Sequence, residues 1–175
     1  MITLISGTNR PNNVTEKVAK VYFDLLKQKD DNALFFNLTE LPSTLNIHEL
    51  YSRGNNQLTP FAEKYINNAQ KLVIFTPEYN GSFSGILKLF LDTLPHKGLA
   101  GKTIAIVGTG NGRAGNLRGI EQLTNIFHYL EANVLWYKIP VSGLNKLFDA
   151  DGNFTDEAHL QAFEKQIGLL VAPSL

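Results

Sequence analysis

Five short apolar runs punctuate this chain: ITLIS (2–6), ALFFN (33–37), KLVIFT (71–76), KTIAIVG (102–108) and NVLWYK (133–138). Most are continuously apolar and do not alternate. That pattern belongs to strands covered on both faces, as in a parallel sheet packed between helices. Helix-period segments separate them. In 15–28, Val18, Val21, Tyr22, Leu25 and Leu26 fall on one helical face; Ile120, Leu123, Phe127 and Leu130 do so in 116–131. In 155–171 the set is Phe163, Ile167, Leu170 and Val171, with Thr155 as the expected N-cap and Asp156 and Glu157 in the first turn. Strict strand–helix alternation implies a doubly wound α/β fold.

The 175 residues suffice for one domain, 1–175, with a full core. Sixteen basic residues balance sixteen acidic ones, which argues against a nucleic-acid partner and against a strongly acidic carrier that docks by charge. Without Cys there is no disulfide, thiolate metal site or thiol redox chemistry. Met1 runs straight into the first strand, and no apolar run reaches the roughly 20 residues of a membrane span. The expectation is a cytoplasmic protein with no membrane partner.

Two segments depart from the plain alternation. Residues 38–57 lack periodicity; a loop that long is either functional or interface-forming, or a surface excursion with one helical turn around 46–51. In 84–94, Ile86, Leu87, Leu89, Phe90, Leu91 and Leu94 surround most of a helix. One sheet does not bury that whole circumference, so a subunit interface is expected, the other reading being burial under the helix's own long loop.

In an open α/β sheet, ligands bind beyond the carboxyl ends of the strands where strand order reverses. For order 2-1-3-4-5, that singles out the loops after strands one, three and four; those after two and five are less suggestive. The first loop, SGTNRPNNVT, enters a helix near Val14 and Thr15, so backbone N–H groups and the positive helix end face its ligand. Thr8, Asn13 and Thr15 can donate hydrogen bonds, and Arg10 offers a planar fork for phosphate oxygens. It suits a phosphate monoester. It has neither the Lys-bearing triphosphate loop nor G-x-G-x-x-G. The second loop, TPEYNGSFSG, places Tyr79 beside an Asn80-Gly81 turn, with Ser82 or Ser84 capping the next helix; it suits a flat ring. The third, GTGNGRAGN, has four glycines in nine residues, which lets backbone approach a ligand closely. Arg113 there faces either a second phosphate or solvent.

These three stretches together resemble the NAD(P)H-dependent FMN reductase family, whose relatives include quinone, azo-dye and chromate reductases. TPEYNGSFSGILKLFLD is similar to its P-E-Y-N-G-S signature, SGTNRPNNVT to its first loop, and GTGNGRAG to its third. The resemblance implies a flavodoxin-like three-layer sandwich with a five-stranded parallel sheet, order 2-1-3-4-5, and non-covalent FMN. By correspondence, Thr8, Arg10, Asn13, Val14 and Thr15 surround the FMN phosphate. Pro77, Glu78, Tyr79, Asn80 and Gly81 line the isoalloxazine, and Thr109, Gly110, Asn111 and Gly112 border its pyrimidine side. The implied enzyme passes hydride from NAD(P)H to flavin N5 and then reduces a quinone, azo compound, free flavin, ferric or chromate acceptor in ping-pong order. It needs no catalytic side chain, with Asn80 and Gly81 as flavin-tuning contacts. A homodimer or homotetramer is also implied. Arg10, Arg53, Arg113 and Arg118 are the candidates for a 2′-phosphate.

The alternative is a flavodoxin-like electron carrier without its own NAD(P)H oxidation; neutral charge counts against it. A receiver module would want acids after strand one and an Asp after strand three, where Ser6-Gly7 and Pro77-Glu78 stand. His48, His96, His128 and His159 show no metal or triad spacing, and DADGN (149–153) reads as a turn, not a calcium loop. No metal is expected.

Overall fold

The computed structural model describes residues 1–50 and 56–172. Strands β1 (Ile2–Ser6), β2 (Leu34–Asn37), β3 (Lys71–Pro77) and β4 (Thr103–Thr109) form a parallel sheet in the order β2-β1-β3-β4, as expected. Every residue of β1 is buried, as is every residue of β3 and β4 after the first, which is why these runs do not alternate.

The fifth position departs from the expectation of one strand over 133–138. It is split into β5 (Asn133–Val134), paired to the start of β4, and β6 (Ile139–Val141), paired to its end. While β4 advances from Ile104 to Val107, its neighbour advances from Val134 to Ile139, so surplus chain bulges out and Trp136 is exposed. Gln166, fully buried, fills the gap: its Nε2 donates to the Tyr137 carbonyl at 2.7 Å and the Ile106 carbonyl at 3.3 Å.

Helices cover both faces. On one, α1 (Val14–Lys27) and α6 (Glu157–Val171) pack Val18, Tyr22, Leu26, Phe163 and Ile167 against Leu4, Phe75 and Val107. On the other lie α2 (Ile47–Leu50), α3 (Thr59–Ala62) continued by a π-helical turn at Glu63–Asn67, α4 (Gly85–Thr93) and α5 (Leu117–Tyr129). The α6 N-cap is Asp156, not Thr155. The Asp156 carboxylate accepts from the His159 N–H at 3.0 Å, while Thr155 donates its hydroxyl to the Leu147 carbonyl. Helix α4 buries Leu87, Phe90 and Leu91 and leaves Ile86, Leu89 and Leu94 half-buried against the same cluster. The helical turn expected around 46–51 is α2 and Glu40 closes a capping box with Asn37, whereas residues 51–55, with the candidate Arg53, lie outside the described residues. Among the described residues, no helix is long and apolar enough to cross a membrane.

Candidate active site

The carboxyl ends of β1, β3 and β4 open onto a cleft of about 620 Å³, within the usual range for small-ligand sites. Thirteen of the fourteen expected residues line it: Thr8, Arg10, Asn13, Val14, Thr15, Pro77, Glu78, Tyr79, Asn80, Gly81, Thr109, Gly110 and Asn111. Gly112 does not. Leu144 and Asn145 line it as well, from the loop after the fifth strand position that looked less suggestive. Gly143, at φ 64°, turns the chain there, and the Asn145 N–H donates to Asn111 Oδ1 at 3.2 Å. A glycine before a short helical turn is the one sequence signal for this wall, and it is a weak one.

The first loop is held against β3 by the absence of a side chain. Gly7 donates its N–H to the Phe75 carbonyl at 2.8 Å, and a β-carbon there would stand 2.5 Å from that same oxygen. Ser84, the N-cap of α4, donates its hydroxyl to the Gly7 carbonyl, so the first and second loops share one anchor. Asn12 takes the left-handed conformation that Asn tolerates (φ 53°), and Asn13 then caps α1: Oδ1 accepts from Glu16 N–H at 2.7 Å and Nδ2 donates to the Arg10 carbonyl.

The hydroxyls expected at the phosphate are engaged within the protein. Thr8 Oγ1 pairs with the Tyr79 hydroxyl at 2.8 Å and accepts from the Arg10 N–H; Thr15 Oγ1 pairs with Thr109 Oγ1 at 2.8 Å. Thr8, Asn13 and Thr15 therefore shape the cradle. Donors left open there include the Arg10 guanidinium and the Val14 and Thr15 N–H groups, which α1 leaves unpaired in its first turn. An anion fits here, because helix dipole and guanidinium act together.

The second loop is a two-residue hairpin. Tyr79 and Ser82 exchange both backbone hydrogen bonds, at 2.9 and 3.0 Å, and Asn80 and Gly81 have φ of 52° and 74°. Two positive φ values in succession are what a type I′ turn requires, and Asn-Gly is its preferred pair. The turn leaves the Asn80 and Gly81 N–H groups at its tip, without a hydrogen-bond partner among the described residues.

Asn116 joins the second and third loops. Fully buried and left-handed (φ 64°), it caps α5 by accepting from Gly119 N–H at 3.1 Å, while Nδ2 donates to the Thr76 carbonyl at 3.1 Å and the Pro77 carbonyl at 2.9 Å. Its value at the site was not legible in the sequence. Arg118 leans on the same turn: its Cδ lies 3.8 Å from where a Gly81 β-carbon would stand. Arg113 is exposed and is not among the described residues that line the cleft. In the DADGN turn, Asp149 accepts from the Asp151 and Asn153 N–H groups and from the Asn153 side chain, which hold its carboxyl below the usual range.

A model of the family described as NADPH-dependent FMN reductase matches residues 1–143. An NAD(P)H-dependent FMN reductase of Pseudomonas aeruginosa is 29% identical over 126 residues, covering 70% of this chain and 68% of that protein. An FMN-dependent NADPH-azoreductase of Staphylococcus saprophyticus is 29% identical over 119 residues, covering 62% of this chain and 60% of its own length. The matched segment thus spans about three-fifths to two-thirds of these relatives. The crystal structure of an NADH:FMN oxidoreductase in its apo form superposes with a TM-score of 0.75 at 23% identity, covering 98% of this chain and 90% of that one, which shows the shared flavodoxin-like fold.

Proposed function

The chain belongs to the NADPH-dependent FMN reductase family, and from that premise we propose an oxidoreductase that holds FMN in this cleft and oxidises NAD(P)H. The observation that carries the proposal is the cleft's polarity along its length. One end offers Arg10 and open helix N–H groups; the other offers a hairpin tip and glycine backbone, with the Tyr79 ring between them and its hydroxyl reaching Thr8. A phosphate monoester tethered to a flat heteroaromatic ring matches that division.

Arg10, with the Val14 and Thr15 N–H groups, binds the phosphate, and Thr8, Asn13 and the Thr15 side chain hold their loop in place. Pro77, Glu78, Tyr79, Asn80 and Gly81 line the ring. Thr109, Gly110 and Asn111 border the pyrimidine side, joined by Leu144 and Asn145. When bound, FMN would supply two-electron chemistry between NAD(P)H and a quinone, azo, flavin, ferric or chromate acceptor, in ping-pong order. The Asn80 and Gly81 N–H groups stabilise negative charge on the ring without moving, since the turn already fixes them. Arg118, against that turn, binds the phosphate of the nicotinamide nucleotide. The half-buried Ile86, Leu89 and Leu94 of α4 make it the contact surface of a cytoplasmic homo-oligomer, which light scattering on the eluting protein tests.

Steady-state kinetics with NADPH and a quinone test the activity. Parallel double-reciprocal lines support ping-pong turnover on one site. Intersecting lines contradict that order. A protein that turns over only with an added reductase is an electron carrier and refutes the enzyme reading.

A further inference from the structure

Resting on the flavin reading above for its binding readout, we infer that Gln166 is a positioning residue for the cleft: its amide sets the register of β6, and β6 sets the wall formed by Gly110, Asn111, Leu144 and Asn145. That wall is built on the β6 backbone. Gly110 donates its N–H to the Val141 carbonyl at 3.0 Å, and beyond the strand the Asn145 N–H donates to Asn111 Oδ1 at 3.2 Å. A β-carbon on Gly115 would stand 2.7 Å from the Pro140 carbonyl carbon and 2.8 Å from the Val141 nitrogen, so the third loop lies directly on this strand. A shift of β6 along β4 therefore moves the whole wall.

The apolar pattern alone does not fix that register. Between the pairs Ile104–Val134 and Val107–Ile139, β4 advances three residues and its neighbour five, a surplus of two. An even surplus leaves every side chain on its own face. An unbroken strand would set Tyr137 opposite Val107 and Ile139 opposite Thr109, and would carry Val141 about 7 Å further along the sheet. The Tyr137 carbonyl separates the two arrangements. The N–H groups of Asn133 and Leu135 donate to the Lys102 and Ile104 carbonyls, so Tyr137 is the next rung of an unbroken ladder. The bulge takes it out of line, and its carbonyl accepts instead from Gln166 Nε2 at 2.7 Å. The same nitrogen reaches the Ile106 carbonyl of β4 at 3.3 Å, and Gln166 Oε1 accepts from the buried Tyr22 hydroxyl at 3.1 Å. Without that amide, the Tyr137 carbonyl regains a protein donor only in the unbroken register.

Trp136, the sole tryptophan of the chain, reports the register. It is 71% exposed in the bulge; in the unbroken strand it falls opposite the buried Ile106, on the face where Val134 packs with Leu123 and Phe127. The test measures acrylamide quenching of Trp136 emission without flavin, and FMN binding by flavin fluorescence, in wild type, Gln166→Leu and Tyr22→Phe. The last variant removes the other bond of the same amide and leaves Nε2 in place. In Gln166→Leu the indole emission shifts to the blue and its quenching falls, and FMN binds about tenfold more weakly or worse. Tyr22→Phe lowers Tm and keeps the wild-type values of both readouts. Gln166→Leu that loses stability alone, with indole exposure and FMN affinity unchanged, overturns the inference, as does Tyr22→Phe that alters both equally. Where Gln166→Leu does not fold, deleting Tyr137 and Lys138 in that background removes the surplus and keeps Ile139 opposite Val107. Recovered folding and FMN binding support the register account, and their absence overturns it. Wild type that binds no FMN overturns the flavin reading, while the indole readout still decides the register.

Discussion

Replacing Asn116 by Ala removes one side chain that carries three jobs, and the cost is worked from its contacts. Nδ2 loses two hydrogen bonds to carbonyls, each with a net worth of about 1 kcal/mol. The Thr76 carbonyl keeps a long bond from Thr109 Oγ1 at 3.4 Å, and the Pro77 carbonyl keeps a distant contact from the Thr76 hydroxyl at 3.5 Å. Loss of the α5 cap adds about 1 kcal/mol. Alanine at φ 64° adds about 1 kcal/mol of backbone strain. The sum is about 4 kcal/mol, a fall in Tm of about 8–16 °C for a chain of this length. Urea denaturation of wild type, Asn116→Ala and Asn116→Gly measures it. The glycine variant avoids the left-handed strain and is predicted to be about 1 kcal/mol more stable than the alanine one. FMN affinity falls in both, because the second and third loops lose their tie. An alanine variant within about 1 kcal/mol of wild type, or a glycine variant less stable than it, refutes this reasoning.

Gly7→Ala puts a β-carbon 2.5 Å from the Phe75 carbonyl oxygen, so the backbone must move; a loss of about 3 kcal/mol in urea denaturation is expected, with weakened FMN binding. Asp156→Ala costs about 1 kcal/mol at neutral pH. The His159 N–H holds the Asp156 carboxyl below its usual range in the folded state, so its contribution is full above the ordinary carboxylate pKa and lost as pH falls through the depressed folded value. Denaturation series at neutral and acid pH should therefore converge for wild type and variant as acid is added. Arg118→Ala is expected to raise the KM for NADPH about tenfold, leaving FMN affinity and the KM for the acceptor unchanged in steady-state assays. Gly81→Val strains the hairpin at φ 74° and is expected to lower both flavin occupancy and the rate of its reduction.

The parts of the fold that the sequence disclosed are those decided by burial. β1, β3 and β4 are covered on both faces, and their runs say so. The three loops were legible because their residue types have few other uses: consecutive Asn-Gly for a turn, four glycines in nine residues for close backbone approach, and Arg10 before a helix start for an anion. The split fifth strand was not legible, because the residue that holds it open is Gln166, distant in sequence and polar on a helix otherwise read by its apolar face. Leu144 and Asn145 reach the cleft through a turn that carries no recognisable pattern. Thr155 and Asp156 are both good caps, and only the register of α6 decides between them. The pairing of Thr8 with Tyr79, 71 positions apart, needs the sheet to be built first; it turns an expected phosphate donor into a support for the loop.

The central claim is that this cleft holds FMN and reduces it with NADPH. The most direct measurement is the absorption spectrum of protein loaded with FMN, desalted, and titrated anaerobically with NADPH. Retained flavin absorbance, bleached by about one equivalent of NADPH per bound flavin in a two-electron reduction, is the predicted result. Protein that keeps no flavin through desalting at micromolar concentration, or keeps flavin that neither NADPH nor NADH bleaches, contradicts the claim.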